Sequence, residues 1–364
     1  MGKRILRYFL RLLLFLVVTA LLLVGILYGT IYKICHGKSE SAKATFVTTV
    51  LESGQLKFVA HMVCSKEEID EIVSRNQMVD METDIDRDLI HIGSDDPDNP
   101  DNPDEPKKEE YFDENGVRIE EVSGRGFFGK MMIVKNPAQV IVGTTYPFGE
   151  KGKNLDVIVS ESGGVGGVNG GLYASSGNNG GYPYGVVVSR GQIQRNRPQE
   201  YTGLYLIGMD EDNLLVIKDL KGMDASATEK YIRENRIRDA VTFQEEASDK
   251  NNHFVPLVIN GEGREMKGMG SGSNPRTAIG QRKDGAILLF VTDGRGANDH
   301  LGATASDLIA VMLDYGAVNA ANLDGGSSST MVYKGEYEMT SVTFYYKNAS
   351  WRLPDAMVVL PPQQ

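Results

Sequence analysis

Three short stretches of this chain bring carboxylates, an arginine and hydroxyls together with glycines. The first is Gly166-Gly167-Val168-Asn169-Gly170-Gly171-Leu172-Tyr173, continuing through a glycine-rich loop to Gly185. The second is Asn274-Pro275-Arg276-Thr277-Ala278-Ile279-Gly280, expected to pair through a hairpin with a strand ending at Thr292-Asp293-Gly294-Arg295. The third is Asn322-Leu323-Asp324-Gly325-Gly326-Ser327-Ser328-Ser329-Thr330. A strand that ends in Asp-Gly sets a carboxylate at the sheet edge and lets the backbone turn sharply beside it, which describes Asp293 and Asp324. Glycine followed by serines makes a loop whose amides and hydroxyls can face an anionic oxygen. Arg276 can grip a phosphate through two parallel hydrogen bonds. Taken singly, each stretch also fits an ordinary hairpin turn, and Arg276 also fits a structural ion pair. Three such stretches in one domain point to carboxylate, arginine and amide chemistry.

The other common chemistries have little to work with. Residues 122–364 contain no cysteine and two histidines, His253 and His300, so a cysteine nucleophile is excluded there. A histidine triad or multi-histidine metal site is disfavoured, and no metal or cofactor is expected. Gly124-Arg125-Gly126-Phe127-Phe128-Gly129 matches a dinucleotide fingerprint by letter. It leads into a strand instead of opening a helix. His300 lies near the Asp-Gly-Arg segment and reads mainly as a loop histidine, and Trp351 can be read as a sugar platform or as core.

The elements that must position these residues are mostly strands. Apolar runs at Met131–Val134, Val140–Val142, Tyr184–Val188, Leu204–Ile207, Leu214–Ile217, Ala286–Val291 and Ala356–Leu360 are short and often β-branched. Two helices are expected. One covers Thr304–Tyr315, with Thr304 and Asp307 as a capping box and Gly316 as the stop, and the other covers Ser226–Arg236. The fold class is therefore α+β, with a large mixed β-sheet and few helices, over residues 122–364. That span carries 34 of the 41 glycines and is nearly neutral, with 24 basic and 26 acidic residues.

Three unlike segments precede it. Residues 1–36 hold five basic and no acidic residues around an uncharged apolar stretch from Leu12 to Tyr32. That stretch is long enough for a membrane-spanning helix, and the four cations ahead of it favour a cytoplasmic N-terminus with the remainder outside. A cleavable signal peptide is the rival reading, although its apolar region usually runs to roughly 7–15 residues. Residues 37–93 read as a helical stalk, with Phe46, Val47, Val50 and Leu51 at helical spacing and Ser65 capping a second run. Cys35 and Cys64 lie here, as a loose disulfide or as two inert thiols. Residues 94–121 carry twelve acidic and three basic residues with repeated proline, the composition of an extended linker. The overall charge of −11 makes nucleic acid a poor partner.

Asn169-Gly170-Gly171, Pro275-Arg276-Thr277-Ala278-Ile279-Gly280, Asp293-Gly294 and Asn322-Leu323-Asp324-Gly325-Gly326-Ser327-Ser328, in this order and spacing, resemble the phosphodiester glycosidase family. Arg352, in Trp351-Arg352-Leu353-Pro354-Asp355-Ala356, is similar to an arginine the family carries before its final strand. Leu172-Tyr173 stand where the family often has an aromatic pair, and Ser327 where it often has a third glycine. The resemblance implies hydrolysis of an N-acetylglucosamine-1-phosphodiester-like substrate between the anomeric carbon and the phosphate. It implies Asp324 and Asp293 as the catalytic carboxylates, and Arg276, Arg352, Ser327 and Ser328 with the amides of Gly325 and Gly326 around the phosphate. Asn169 would bond the sugar, with Gly170 and Gly171 allowing its approach. Together with the anchor, this describes an extracytoplasmic enzyme acting on phosphorylated glycan or wall polymer. The alternatives are a non-catalytic surface module that binds phosphorylated glycan and a metal-dependent phosphodiesterase.

Overall fold

The computed structural model describes residues 2–53, 56–93, 111–174, 178–297, 299–341 and 349–362. Among the described residues its strands divide among three large sheets and a two-stranded pair, Glu246–Ala247 with Asn252–His253, and the pairs within them are antiparallel. The seven-stranded sheet runs, in spatial order, Val117–Ser123, Phe128–Val134, Ile287–Thr292, Thr277–Arg282, Ala317–Asn322, Pro256–Ile259 and Glu262–Gly263. A five-stranded sheet runs Glu336–Thr340, Thr330–Tyr333, Gly166–Asn169, Asp355–Val359 and Val140–Thr144. A second runs Gln192–Asn196, Val186–Ser189, Ile237–Gln244, Leu204–Asp210 and Leu215–Asp219. The α+β class holds, with the β structure spread over these sheets and not through a single mixed one.

Each sheet is apolar on both faces, and the side-chain period of two sorts its residues between two cores. Met132, Val134, Leu289, Val142, Met357, Val187 and Ile207 point inward to one cluster shared by all three sheets. Their neighbours in sequence point outward, where each sheet receives one helix. Met131, Ile133, Leu288 and Phe290 meet Leu308, Ile309 and Met312. Ile141, Ala356 and Val358 meet Leu155, Ile158 and Val159. Val186, Val188, Leu204 and Leu206 meet Ile232. Burial on both faces is why the strands read as continuous apolar runs without alternation.

The helices are α1 (Gly2–Cys35), α2 (Glu40–Leu51), α3 (Lys57–Val63), α4 (Lys66–Arg75), α5 (Leu155–Glu161), α6 (Ala225–Glu234) and α7 (Ala305–Asp314). The expected capping box of Thr304 with Asp307 forms on α7, and Ser65, expected as a cap, forms a capping box with Glu68 on α4. The α1 helix is long and apolar enough to cross a membrane. Residues 37–93 do not stand away from the domain as a stalk would. Helices α2–α4 pack around Val47, Leu51, Ala60 and Ile69, and residues 77–92 then run extended along the domain surface. Their anchors are charged and polar. Arg87 donates to Asp210 (2.6 Å) and Asp212 (2.8 Å), the Val79 amide donates to the Glu265 carbonyl, and the Val79 carbonyl accepts from Arg264 Nε at 2.7 Å.

The acidic linker also ends earlier than its composition suggests. Residues 94–110 lie outside the described residues. Val117–Ser123, however, is the outer strand of the seven-stranded sheet, in register with Phe128–Val134 from Val117↔Val134 to Ser123↔Phe128. Its glutamates suit an edge strand, where charge discourages pairing with another chain, and Glu120 accepts from the Tyr315 hydroxyl at 2.8 Å.

Candidate active site

The three sequence clusters converge where one end of the seven-stranded sheet meets one end of the first five-stranded sheet. Asn169 is the joint between them and is 1% exposed. Its amide nitrogen donates to the Asp324 carbonyl at 2.6 Å, and its oxygen accepts from the Thr277 hydroxyl at 2.7 Å and the Thr330 amide at 3.2 Å. All of these partners are protein groups, so Asn169 holds the Asp324 loop in place. Gly170 and Gly171 serve close packing within the protein. A Cβ at Gly170 would collide with Asp355 Oδ1, and one at Gly171 would lie 2.6 Å from the Thr242 carbonyl.

Asp324 follows the Ala317–Asn322 strand and lies in a recess, hemmed in on all sides yet keeping partial access to solvent. Burial pushes its carboxyl up to about 7, against the opposing pull of the Ser328 hydroxyl, the Gly325 amide and the Arg295 guanidinium. Gly326, at φ +63°, turns the loop so that its amide donates to the Pro275 carbonyl at 2.8 Å. The Ser327 hydroxyl accepts from Arg295 Nη1 at 2.7 Å, and Arg295 is exposed at the mouth of the recess. The Ser328 hydroxyl shares a 2.8 Å hydrogen bond with the Tyr173 hydroxyl, and burial raises the phenol above its ordinary value.

A second carboxyl completes the cluster. Asp355 opens the final strand, is 1% exposed, and accepts the Gly171 amide at 2.8 Å through Oδ1. Among the described residues its Oδ2 has no hydrogen-bond partner although it is buried. Burial raises Asp355 to about 7, and the negative charge of Asp324 adds to the rise. An ionised Asp324 therefore favours the protonated form of Asp355.

The other expected residues are placed differently. Asp293 is 3% exposed, with Oδ1 accepting the Phe128 amide and Oδ2 bonded to His300 Nδ1, both at 2.8 Å. Oδ1 thus ties Asp293 to the neighbouring strand, and Oδ2 closes the 293–300 loop on itself. Asp293→Asn, keeping one acceptor, is expected to reduce stability by about 1–2 kcal/mol and to leave any turnover within roughly tenfold of wild type, measured by melting and steady-state rates on the same preparation.

Arg276 is 5% exposed and also internal. Its Nη2 pairs with Glu52 of the α2–α3 turn, and donates to the Gly272 carbonyl at 2.7 Å and the Ser271 hydroxyl at 3.2 Å. Its Nε donates to the Ala303 carbonyl at 3.2 Å, and the guanidinium lies 5.0 Å from the Phe254 ring centroid. Glu52 accepts in turn from the Gly272 amide at 2.6 Å and from Asn274 at 3.2 Å. Burial raises the Glu52 carboxyl while Arg276 and these donors hold it back. Arg352 is exposed on the segment leading to Asp355, with its amide bonded to Asn178 Oδ1 at 2.8 Å. Trp351 is half-buried. Among the described residues no group of three or more His, Cys, Asp and Glu side chains is arranged to hold a metal ion.

The geometry thus adds Asp355, Tyr173, Arg295 and Glu52 to the residues that matter. Three of them stand inside or beside the motifs. Asp355 is an acid at the head of an apolar strand, where a solvated carboxylate has no reason to be, and that is the signal it carries. Glu52 has no comparable signal, being one acid among several in a helical segment.

Residues 162–360 match the family model described as phosphodiester glycosidase. The SPbeta prophage-derived uncharacterized protein YomE of Bacillus subtilis (strain 168) is 44% identical over 64 residues, 18% of this chain and 10% of that protein. Human N-acetylglucosamine-1-phosphodiester alpha-N-acetylglucosaminidase is 34% identical over 79 residues, 22% of this chain and 15% of that protein. These alignments span a small part of either relative's length. Among solved structures, the zebrafish N-acetylglucosamine-1-phosphodiester alpha-N-acetylglucosaminidase catalytic domain, auto-inhibited by its pro-peptide, aligns with TM-score 0.48 at 20% identity, covering 68% of this chain and 82% of that one.

Proposed function

Since the chain belongs to the phosphodiester glycosidase family, we propose that it is a hydrolase that cleaves an N-acetylglucosamine-1-phosphodiester-like bond to free sugar and a phosphomonoester. The observation that supports this best is the pair of buried acids, Asp324 and Asp355, brought together on Gly170–Gly171: the Asp324 amide donates to the Gly170 carbonyl at 3.3 Å, Asp355 Oδ1 accepts the Gly171 amide at 2.8 Å, and burial raises both carboxyls. Glycoside cleavage uses two carboxyl groups held in different protonation states. The ionised member takes a proton from water as the water oxygen bonds to the anomeric carbon. The bond from that carbon to the phosphate oxygen breaks, and its electron pair leaves with the phosphomonoester. Such a leaving group is already stable as an anion, so it needs charge neutralisation more than protonation. Arg295, Ser327, Ser328 and the Gly325–Gly326 amides suit that task. Asp324 takes the role nearest the reacting carbon, and Asp355 takes the second-carboxyl role that the sequence assigned to Asp293. Arg352 is a contact for the phosphate from outside the recess.

The apolar helix supports a membrane-anchored enzyme with its domain on the extracytoplasmic side, acting on phosphorylated glycan of wall or exopolysaccharide. The test is to incubate the full chain in detergent with an α-GlcNAc-1-phosphodiester, with and without chelator, and identify the products. Free sugar with phosphomonoester is the expected result. Sugar-1-phosphate indicates a phosphodiesterase, and binding without turnover indicates a glycan-binding module. Residues 37–93 belong in any shortened version, because removing them strands Arg276 without Glu52.

The raised carboxyls also predict a pH dependence of stability. The folded chain keeps protons on Asp324 and Asp355 that the unfolded chain releases near pH 4. The stability they contribute is therefore full below about pH 4 and is lost as pH rises through about 7. Melting at pH 5 and pH 8 should show the chain weaker at pH 8. Asp355→Asn, which mimics the protonated acid, should narrow that gap, and an unchanged gap would contradict the assignment.

A further inference from the structure

We propose that Cys35 and Cys64 form a disulfide that staples the end of the apolar helix to the helical module. They are the only two cysteines in the chain. Cys35 is the last residue of α1, and Cys64 is the extended residue that ends α3, at φ −128° and ψ 147°. Although 28 residues separate them, they enter one apolar cluster with Val47, Leu51, Val63 and Ile69, exposed by 2% and 6%. There the two thiols are hydrogen bonded to each other, both reduced in this structure. Thiols within hydrogen-bond reach of each other, brought together from the ends of two separate helices, have already made the approach that a disulfide needs. Burial raises the Cys64 thiol above its ordinary value, and its hydrogen bond with Cys35 and the Lys43 ammonium, itself bonded to Glu68 at 2.8 Å, oppose that rise.

The module has good reason to be stapled. Its core is a handful of side chains from α2, α3, α4 and the last turns of α1. Small cores of this kind are commonly reinforced by a covalent link. On its other side the module is fastened to the domain through Glu52–Arg276 and Arg87 with Asp210 and Asp212. A Cys35–Cys64 bond closes the remaining loose joint and holds the domain at a set orientation to the helix.

The co-reactant is a disulfide donor. One thiolate attacks a donor sulfur to give a mixed disulfide and release one donor thiolate. The other cysteine then attacks the mixed disulfide, forming the Cys35–Cys64 bond and releasing the second. The two cysteine protons pass to the two leaving thiolates, and two electrons reduce the donor.

The experiment uses the full chain twice. In membranes of an expressing cell, free thiols are blocked at lysis, disulfides are reduced, and the new thiols are tagged with a maleimide polymer that retards the protein on a gel. The expected result is a monomer that takes two tags only after reduction, with C35S and C64S each blocked before it. In detergent, the reduced protein is exposed to oxidised glutathione. The wild type should lose both thiols without retaining glutathione, whereas C64S should retain one glutathione. The proposal is overturned if the detergent-solubilised wild type retains glutathione on either cysteine or keeps both thiols. A disulfide-linked dimer of the wild type, persisting in a single variant, overturns it equally.

Discussion

Asp324→Asn is expected to lower kcat/KM on an α-GlcNAc-1-phosphodiester by about 10³-fold while the fold persists, since a positioned acid or base contributes roughly 10²–10⁴-fold. Asparagine keeps the shape of the side chain and can still accept from Ser328 and the Gly325 amide, but it cannot exchange a proton or carry the charge that a positive sugar centre requires. Burial has set this carboxyl near 7, where it can do either close to neutral pH. Asp355→Asn should also lose at least about 10²-fold and should shift the pH–rate profile of what remains, because the surviving acid no longer feels a charged neighbour. Asp293→Asn serves as the control. A loss at Asp293 equal to that at Asp324, with Asp355→Asn near wild type, would return the second-carboxyl role to Asp293. Unchanged turnover in Asp324→Asn would remove the central assignment.

Glu52→Ala is expected to destabilise the chain by about 3–5 kcal/mol, the cost of leaving one partner of a buried ion pair alone. Arg276 is 5% exposed, and its carbonyl and hydroxyl partners neutralise none of its charge. The Gly272 amide and the Asn274 side chain lose their acceptor at the same time. Thermal melting should fall by roughly 10 °C. The double variant Glu52→Ala with Arg276→Met should recover a large part of the loss, because the stranded charge goes with the arginine. A single variant that melts like wild type would mean that the module is held by its other contacts. The pair is set in a loop directly behind Asp324, with Pro275 accepting from Gly326, so loosening it should also reach the site.

Much of the fold could be read from residue order. The Thr304 and Ser65 capping boxes, the strand runs and the apolar N-terminal helix depend on neighbours a few positions apart, and local chemistry decides them. The edge strand Val117–Ser123 was hidden because its glutamates continue the acidic linker. Only pairing with Phe128–Val134 distinguishes a charged strand from a charged spacer. The helical module reads as a stalk for a related reason. An amphipathic helix shows that one face needs cover, and does not show which surface supplies it.

The same division runs through the site. The glycine-flanked acids and serines located the loop around Asp324, since turn chemistry and reactive side chains are written in adjacent letters. The roles within it depended on partners brought from elsewhere. Arg276 has the chemistry of a phosphate ligand, yet Glu52 lies 224 residues earlier and takes its charge internally. Asp293 has the position of a catalytic acid, yet Phe128 and His300 occupy both of its oxygens. Asp355 appears as one acid before a strand until folding buries it beside Asp324. Residue order therefore determined which groups were available for chemistry and the family to which the chain belongs. The tertiary structure decided which groups stay unpaired, because ionisation and free hydrogen-bonding capacity depend on burial and on neighbours distant in the chain.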